Sequence, residues 1–261
     1  MNGFQFETDE HALLVDPYFT RVGLGAGALN ERIESNPIRV TQGLRHVHRD
    51  VDAILITHAH FDHLLDVPEI MRRTRARLIA GPTAVRLTTS SGISGSACRA
   101  VKPGSVQRLG PWTIRVFAAQ HDRLFGKIPF AGTSTSSKPV KASDWVVGEP
   151  LAFVIESAGK RIYIDSGGVP GAPPDPRIGN VDLAILGVAL PDSRERFAEA
   201  VRQLRPRYVF PSHQDDMFAP FNRGFVFGKM TNFPAIVREQ KKENLPGRLI
   251  LFDYFRPWTL R

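Results

Sequence analysis

Residues 54–66 read ILITHAHFDHLLD, an apolar run that closes on three histidines, His58, His60 and His63, and two aspartates, Asp62 and Asp66. The whole chain of 261 residues holds only eight histidines, so their concentration here asks for a physical reason. AILIT predicts a buried strand and HLLDVPEI begins a helical segment. The ligand-type residues therefore fall where a strand's carboxyl end meets a loop, the place where open α/β architectures put their chemistry. His58 and His60, two apart in an extended segment, project to the same side, while Asp62 and His63 follow the turn and face the same cavity from another wall. Two imidazoles at this spacing suit one divalent cation, and the Asp and His pair suits a second close by. A mere hydrogen-bonded turn would need a separate buried partner for each of these groups, which disfavours it.

A metal site closes its geometry with ligands from more than one segment, and three later strand ends supply them. VFAAQHD delivers His121, RIYIDSGG delivers Asp165 and YVFPSHQDD delivers His213. Taken singly, each is more often a satisfied loop residue; their common placement at strand ends is what argues for a site.

Composition narrows the classes. Lys and Arg total 34 against 26 Asp and Glu, and the net charge of +8 favours anionic substrates or surfaces through long-range attraction. The single cysteine, Cys98, excludes an intrachain disulfide and a cysteine-based zinc cluster, so His and carboxylate must hold any metal. The thiol fits no ligand position and is expected to be buried or incidental. No apolar run approaches the roughly 20 residues that span a bilayer, and MNGFQFETDEH lacks the shape of a secretory signal, so a cytoplasmic enzyme is expected.

No internal repeat, low-complexity tract or long linker divides the chain, which predicts one domain over 1–261. Strands are predicted at 11–17, 51–58, 77–81, 113–119, 151–157, 161–165, 181–188, 207–213 and 248–255 from their β-branched and aromatic content. A helix is predicted over 193–205, with Phe197, Ala200, Val201 and Leu204 on its inner face, Asp192 or Ser193 as cap and Pro206 beyond its end. A second helix begins near His63 and runs through EIMRRTRAR, with Ile70, Met71 and Thr74 inward and its arginines on a solvated face. The stretch 122–150 has no clear period and contains Lys127, Lys138 and Lys141; it reads equally as a functional loop or as a disordered surface insertion.

THAHFDH, followed in order by a strand-end histidine, YIDSG and PSH, resembles the metallo-β-lactamase superfamily of metal-dependent hydrolases over most of the chain, from LLVDPYFTR to PSHQDD. The resemblance implies an α+β fold, a four-layer αββα sandwich with two metals, zinc first and manganese or iron as alternatives. It implies that His58, His60 and His121 hold the first metal, Asp62, His63 and His213 the second, and that Asp165 bridges them. The zinc β-lactamases of the main clinical type carry cysteine at the position of Asp165, and the diiron flavoproteins usually carry glutamate at that of His60. Both differences set this chain apart. DPYFTR and PSHQDD are similar to patterns in the branch of ascorbate-6-phosphate lactonase and the N-acyl phosphatidylethanolamine phospholipase D. That branch's first strand, with its Gly-His turn, is here absent or reduced to GFQFE.

The expected chemistry is hydrolysis of an ester-type bond, lactone or phosphodiester, in an anionic small molecule or lipid. A hydroxide shared by two metals would attack, and Asp62 would orient it and relay a proton. Asp16 reads either as the hydrogen-bond partner of a ligating imidazole or as a turn residue before Pro17. Arg21, Arg123, Lys127 and Lys138 are candidate anion contacts. The rival readings are a nuclease or RNA-processing hydrolase, which lacks the expected interleaving of aromatic and basic residues, and a noncatalytic metal-binding protein.

Overall fold

The computed structural model describes residues 3–8, 10–133, 138–165, 174–189, 193–229, 231, 233–251 and 253–261. Two mixed sheets stack face to face. The first has the order β1 (Phe4–Thr8), β2 (His11–Val15), β3 (Val51–Ile56), β4 (Arg77–Ala80) and β5 (Cys98–Ala100). The second runs from β6 (Val106–Leu109) through β7 (Trp112–Ala118), β8 (Leu151–Ser157), β9 (Lys160–Ile164), β10 (Leu183–Gly187) and β11 (Tyr208–Ser212) to β12 (Arg248–Leu249). Pairing is antiparallel at the hairpin β1–β2 and from β6 to β9, and parallel from β2 to β5 and from β9 to β12.

The helices are α1 (Leu24–Ala28), α2 (Pro37–Leu44), α3 (Phe61–Leu64), α4 (Val67–Thr74), α5 (Pro82–Ser90), α6 (Ser193–Leu204) and α7 (Phe233–Lys242). The period of two in each strand sorts its side chains between two cores. Leu13, Val15, Ala53 and Leu55 of the first sheet meet Ile114, Val116, Phe153, Ile164 and Ile185 of the second in the central layer. Leu14, Ile54, Ile56 and Leu78 point the other way, onto Leu64, Val67, Ile70 and Leu87 of the helices. On the far side Val154, Tyr163, Ala184, Leu186 and Val209 pack on Phe197, Ala200, Val201, Leu204 and Ile236. The result is the expected αββα sandwich. A central parallel strand such as β3 is buried on both faces, which is why it reads as a continuous apolar run rather than an alternating one.

Several details depart from the expectation. At the amino end, where the first strand is expected to be absent or reduced to GFQFE, a short strand Phe4–Thr8 is present and pairs residue for residue with β2. The helix expected to run on from His63 is two short helices, because Pro68 stands at the start of α4 and forces a new beginning there. Its arginines do face solvent, where Arg72 and Arg73 pair with Glu69, and Ile70 and Met71 are buried. Among the described residues of the 248–255 stretch, only Arg248 and Leu249 form strand. Beyond them Tyr254 bonds Asp215 and Phe255 stacks on His46, so the aromatic content serves tertiary contacts rather than a ladder. The helix at 193–204 stands as expected, while the proposed cap Asp192 lies outside the described residues.

Phe153 is fully buried between the sheets, whereas Ile38 on α2 is 68% exposed. Phe153→Ala is expected to lower unfolding free energy by about 3–5 kcal/mol, and Ile38→Ala by less than about 0.5 kcal/mol, both read from denaturant midpoints. Equal midpoints for the two variants would contradict the two-sheet core.

Candidate metal centre

Strand ends of both sheets meet at one edge of the sandwich. There the backbone N–H of Leu151, opening β8, donates to the carbonyl of Thr57, just past β3, at 2.7 Å. Asp16 follows β2, His58 follows β3, His121 follows β7, Asp165 follows β9 and His213 follows β11. Two sets of donor atoms converge: those of His58, His60 and His121, and those of Asp62, His63 and His213, each set lying within 4.8 Å of one another.

In the first set the ring centroids of His58, His60 and His121 stand 4.6–4.7 Å apart, edge to face. Each ring has one nitrogen engaged elsewhere. His58 Nδ1 lies 3.2 Å from Thr57 Oγ1, His60 Nε2 lies 3.0 Å from the Pro129 carbonyl, and His121 Nδ1 lies 2.7 Å from the Asp122 carbonyl. Such contacts fix tautomer and ring orientation and leave the other nitrogen for a ligand. His58 Nε2 is buried with no hydrogen-bond partner, an arrangement that protein groups alone do not explain and a cation does. The donor chemistry fits a divalent ion at this position.

The second set is held by shared protons. Asp62 Oδ2 stands 2.9 Å from His213 Nε2 and 3.2 Å from His63 Nε2. The opposite nitrogen of His63, Nδ1, lies 2.9 Å from Asp16 Oδ2. Asp16 also accepts from the Thr57 backbone N–H at 2.8 Å and hydroxyl at 2.6 Å, at a positive φ of 48°. The imidazole-partner reading of Asp16 is therefore the one the geometry favours, and the turn comes with it. His213 also has a positive φ, 64°. A left-handed non-glycine residue costs about 1–3 kcal/mol and persists where its surroundings hold it. The two sets touch, since the His58 and His63 ring centroids are 3.8 Å apart.

Asp165 belongs to neither convergent set. Its carboxylate accepts from the Tyr163 hydroxyl at 2.7 Å and lies 3.1 and 3.2 Å from Nη1 of the buried Arg196. Arg196 and Tyr163 went unnoticed in the sequence. The signal for the arginine was available, since it precedes Ala200 by one helical turn and so lies on the inner face of α6.

The stretch 122–150 is not simply a surface insertion. Pro129 reaches His60, Val147 accepts from the Ala59 N–H at 3.0 Å, and Ala142, Trp145 and Val147 are buried. Arg123, Lys127, Lys138 and Lys141 are exposed along it. Arg21 is not available to a substrate anion: it is buried, donates to Asp215 Oδ2 at 2.7 Å and the Asp216 carbonyl, and lies over the Phe221 ring. Asp66, the second aspartate of the opening stretch, belongs to neither donor set and instead anchors the DPYFTR segment by accepting from the backbone N–H groups of Phe19 and Thr20, each at 2.7 Å. Cys98, on β5, is half-buried against the first core. Among the described residues no helix is long and apolar enough to cross a membrane.

Burial, helped by the neighbouring imidazoles, holds His58 well below the usual histidine value, His60 at about 3 and His121 at about 4. Burial acts on His63 too, but the carboxylates of Asp62 and Asp16 outweigh it and push it up to about 10. The first three rings are held neutral when folded and take up protons near pH 6.5 when unfolded, so their contribution to stability is present above about pH 6.5; that of His121 and His60 is lost as pH falls through about 4 and about 3, and that of His58 is lost in the same sense. His63 acts in the opposite sense: its contribution is complete below about pH 6.5 and is lost as pH rises through about 10. Thermal unfolding of the metal-free protein should therefore be hardest near pH 6.5 and easier on both sides. A Tm that stays level from pH 6.5 down to 4 would contradict this charge arrangement.

Residues 11–214 match the model of the beta-lactamase superfamily domain. A UPF0173 metal-dependent hydrolase of Cupriavidus necator is 35% identical over 177 residues, covering 62% of this chain and 57% of the relative, so the match spans less than two thirds of that protein. Among solved structures, Igni18, a metallo hydrolase from the archaeon Ignicoccus hospitalis, superposes with a TM-score of 0.60 at 20% identity, over 96% of this chain and 91% of the other. The metallo-beta-lactamase fold protein YhfI of Bacillus subtilis does so with a TM-score of 0.57 at 14% identity, over 96% and 88%. The sandwich, the convergence of His and Asp at its edge and the match over residues 11–214 lead to one conclusion: the chain belongs to the beta-lactamase superfamily domain family and has the metallo-beta-lactamase fold.

Proposed function

We propose that this chain is a metal-dependent hydrolase with a dinuclear centre, acting on an ester-type bond, lactone or phosphodiester, of an anionic small molecule or lipid. The observation that carries the proposal is the pair of three-residue donor sets in contact through His58 and His63. The likeness to the Cupriavidus necator protein, whose name describes a metal-dependent hydrolase, supports it. So does the net charge of +8, which attracts anions.

His58, His60 and His121 would hold one divalent ion and Asp62, His63 and His213 the other, with Asp165, held by Tyr163 and Arg196, as a further carboxylate for the pair. Zinc suits this donor set, and manganese or iron would be accepted by the same imidazoles and carboxylates. Bound there, the ions would supply Lewis acidity toward the substrate oxygen and lower the pKa of water. The chain's own residues do the rest. Asp62 presents a carboxylate that can take the proton of the attacking water and return it to the leaving oxygen as the C–O or P–O bond breaks. Asp16 fixes His63, and Pro129 fixes His60, so neither ring can turn its donor away. The exposed Arg123, Lys127 and Lys138, on the stretch that reaches His60, would supply positive charge toward an anionic group.

The test compares zinc- and manganese-loaded protein on an aryl phosphodiester and a lactone, beside His58→Ala and Asp62→Ala. At least one substrate should turn over, with His58→Ala losing both cation and rate, and Asp62→Ala losing about 10²–10⁴-fold in kcat. Rates no higher than those of His58→Ala on both substrates would overturn the hydrolase reading. An unchanged kcat for Asp62→Ala would remove its role in proton transfer.

A further inference from the structure

We propose that Arg196 is a positioning residue of this centre: its guanidinium holds the Asp165 carboxylate and the His121 loop in one arrangement, so that cation retention depends on a side chain that touches no cation. The proposal rests on the dinuclear reading above.

Arg196 lies in the first turn of α6, with 1% of its side chain exposed. From there one guanidinium reaches three strand ends. Nη1 meets Asp165 beyond β9 at 3.1 Å, Nη2 donates to the Gly187 carbonyl at the end of β10, and Nε stands 3.8 Å from Asp122 Oδ1 beside His121. A fourth strand end follows by pairing, since Gly187 is opposite Ser212, the residue before His213. The donors that surround Asp165 are fixed as well: the Tyr163 hydroxyl meets Oδ2 at 2.7 Å and the Gly187 N–H meets Oδ1 at 3.4 Å.

Burying a guanidinium with two carboxylates is a poor way to gain stability, because the cost of removing three charges from water offsets most of their attraction. Its value is directional. The planar fork imposes a distance and an orientation on Asp165 and on the Gly187 carbonyl and adds a charge attraction toward Asp122; an apolar filler or a lysine ammonium, a point charge on a flexible stem, does not fix orientation in this way. Packing alone would be served by another leucine among the apolar neighbours on α6. What this arginine adds is a fixed relation between Asp165, the strand end leading to His213 and the segment carrying His121.

The experiment measures zinc affinity by competition with a chromophoric chelator, and the visible spectrum of the cobalt-loaded protein, for wild type, Arg196→Lys and Tyr163→Phe, each well below its own unfolding midpoint. Wild type should bind zinc tightly. Arg196→Lys should bind about 10- to 100-fold more weakly, with a changed cobalt spectrum and unchanged circular dichroism, and Tyr163→Phe should shift in the same direction by less. A folded Arg196→Lys with wild-type affinity and spectrum would overturn the proposal and leave the dinuclear reading standing. If Arg196→Lys does not fold, Tyr163→Phe and Asp122→Asn decide: weakened zinc binding in either supports the positioning role, and wild-type binding in both overturns it. Failure of the wild-type protein itself to bind zinc would overturn the dinuclear reading and this inference together.

Discussion

Five imidazoles and one carboxylate, His58, His60, His63, His121, His213 and Asp62, stand together away from water at the edge of the sandwich, and the rest of the structure is arranged around that constraint. Imidazoles in contact must be kept from turning toward one another and, except for His63 between the carboxylates of Asp62 and Asp16, from gathering protons. The chain does this with partners of two kinds. Backbone carbonyls of Pro129 and Asp122 take one nitrogen each of His60 and His121, and the carboxylate of Asp16 takes one of His63. The orientation of these three rings is thus set from outside the cluster, which leaves their other nitrogens facing its interior.

The fold supplies these partners because its strands from two sheets end at one edge. Parallel pairing from β2 to β4, and again from β9 to β11, sends neighbouring strand ends in the same direction, so each delivers its next residue to the same place. Left-handed backbone at Asp16 and His213 then turns the chain sharply enough to keep both side chains in the cluster. Arg196 ties the second sheet's strand ends from beneath, and Asp66 does the equivalent for the segment after β2. Stability and site are therefore not separate accounts: the apolar layers fix the sheets, and the sheets fix the ligands.

Much of this was legible before any coordinates. Strands such as 51–58 and 151–157 announce themselves by unbroken apolar runs, and α6 by the recurrence of Phe197, Ala200, Val201 and Leu204, because burial on a strand or on one helix face leaves a period in the sequence. His58, His60, His63, His121 and His213 were legible for a different reason: histidine is rare here and the strand ends concentrate it. What escaped has no such period. Strand β5, only three residues long, has two of them exposed and cannot be told from a loop. Arg196 went unnoticed because its partners Asp165 and Asp122 lie 31 and 74 residues away in the chain. Helix α2 could have been found, since Asn36 caps it and Pro37 opens it.

The account stands or falls on where cations sit. Anomalous diffraction at the zinc edge from crystals of the zinc-loaded protein should show two peaks per chain, one among His58, His60 and His121 and the other among Asp62, His63 and His213. A single peak outside both sets, or none in crystals whose protein unfolds no later with zinc than without, would contradict it.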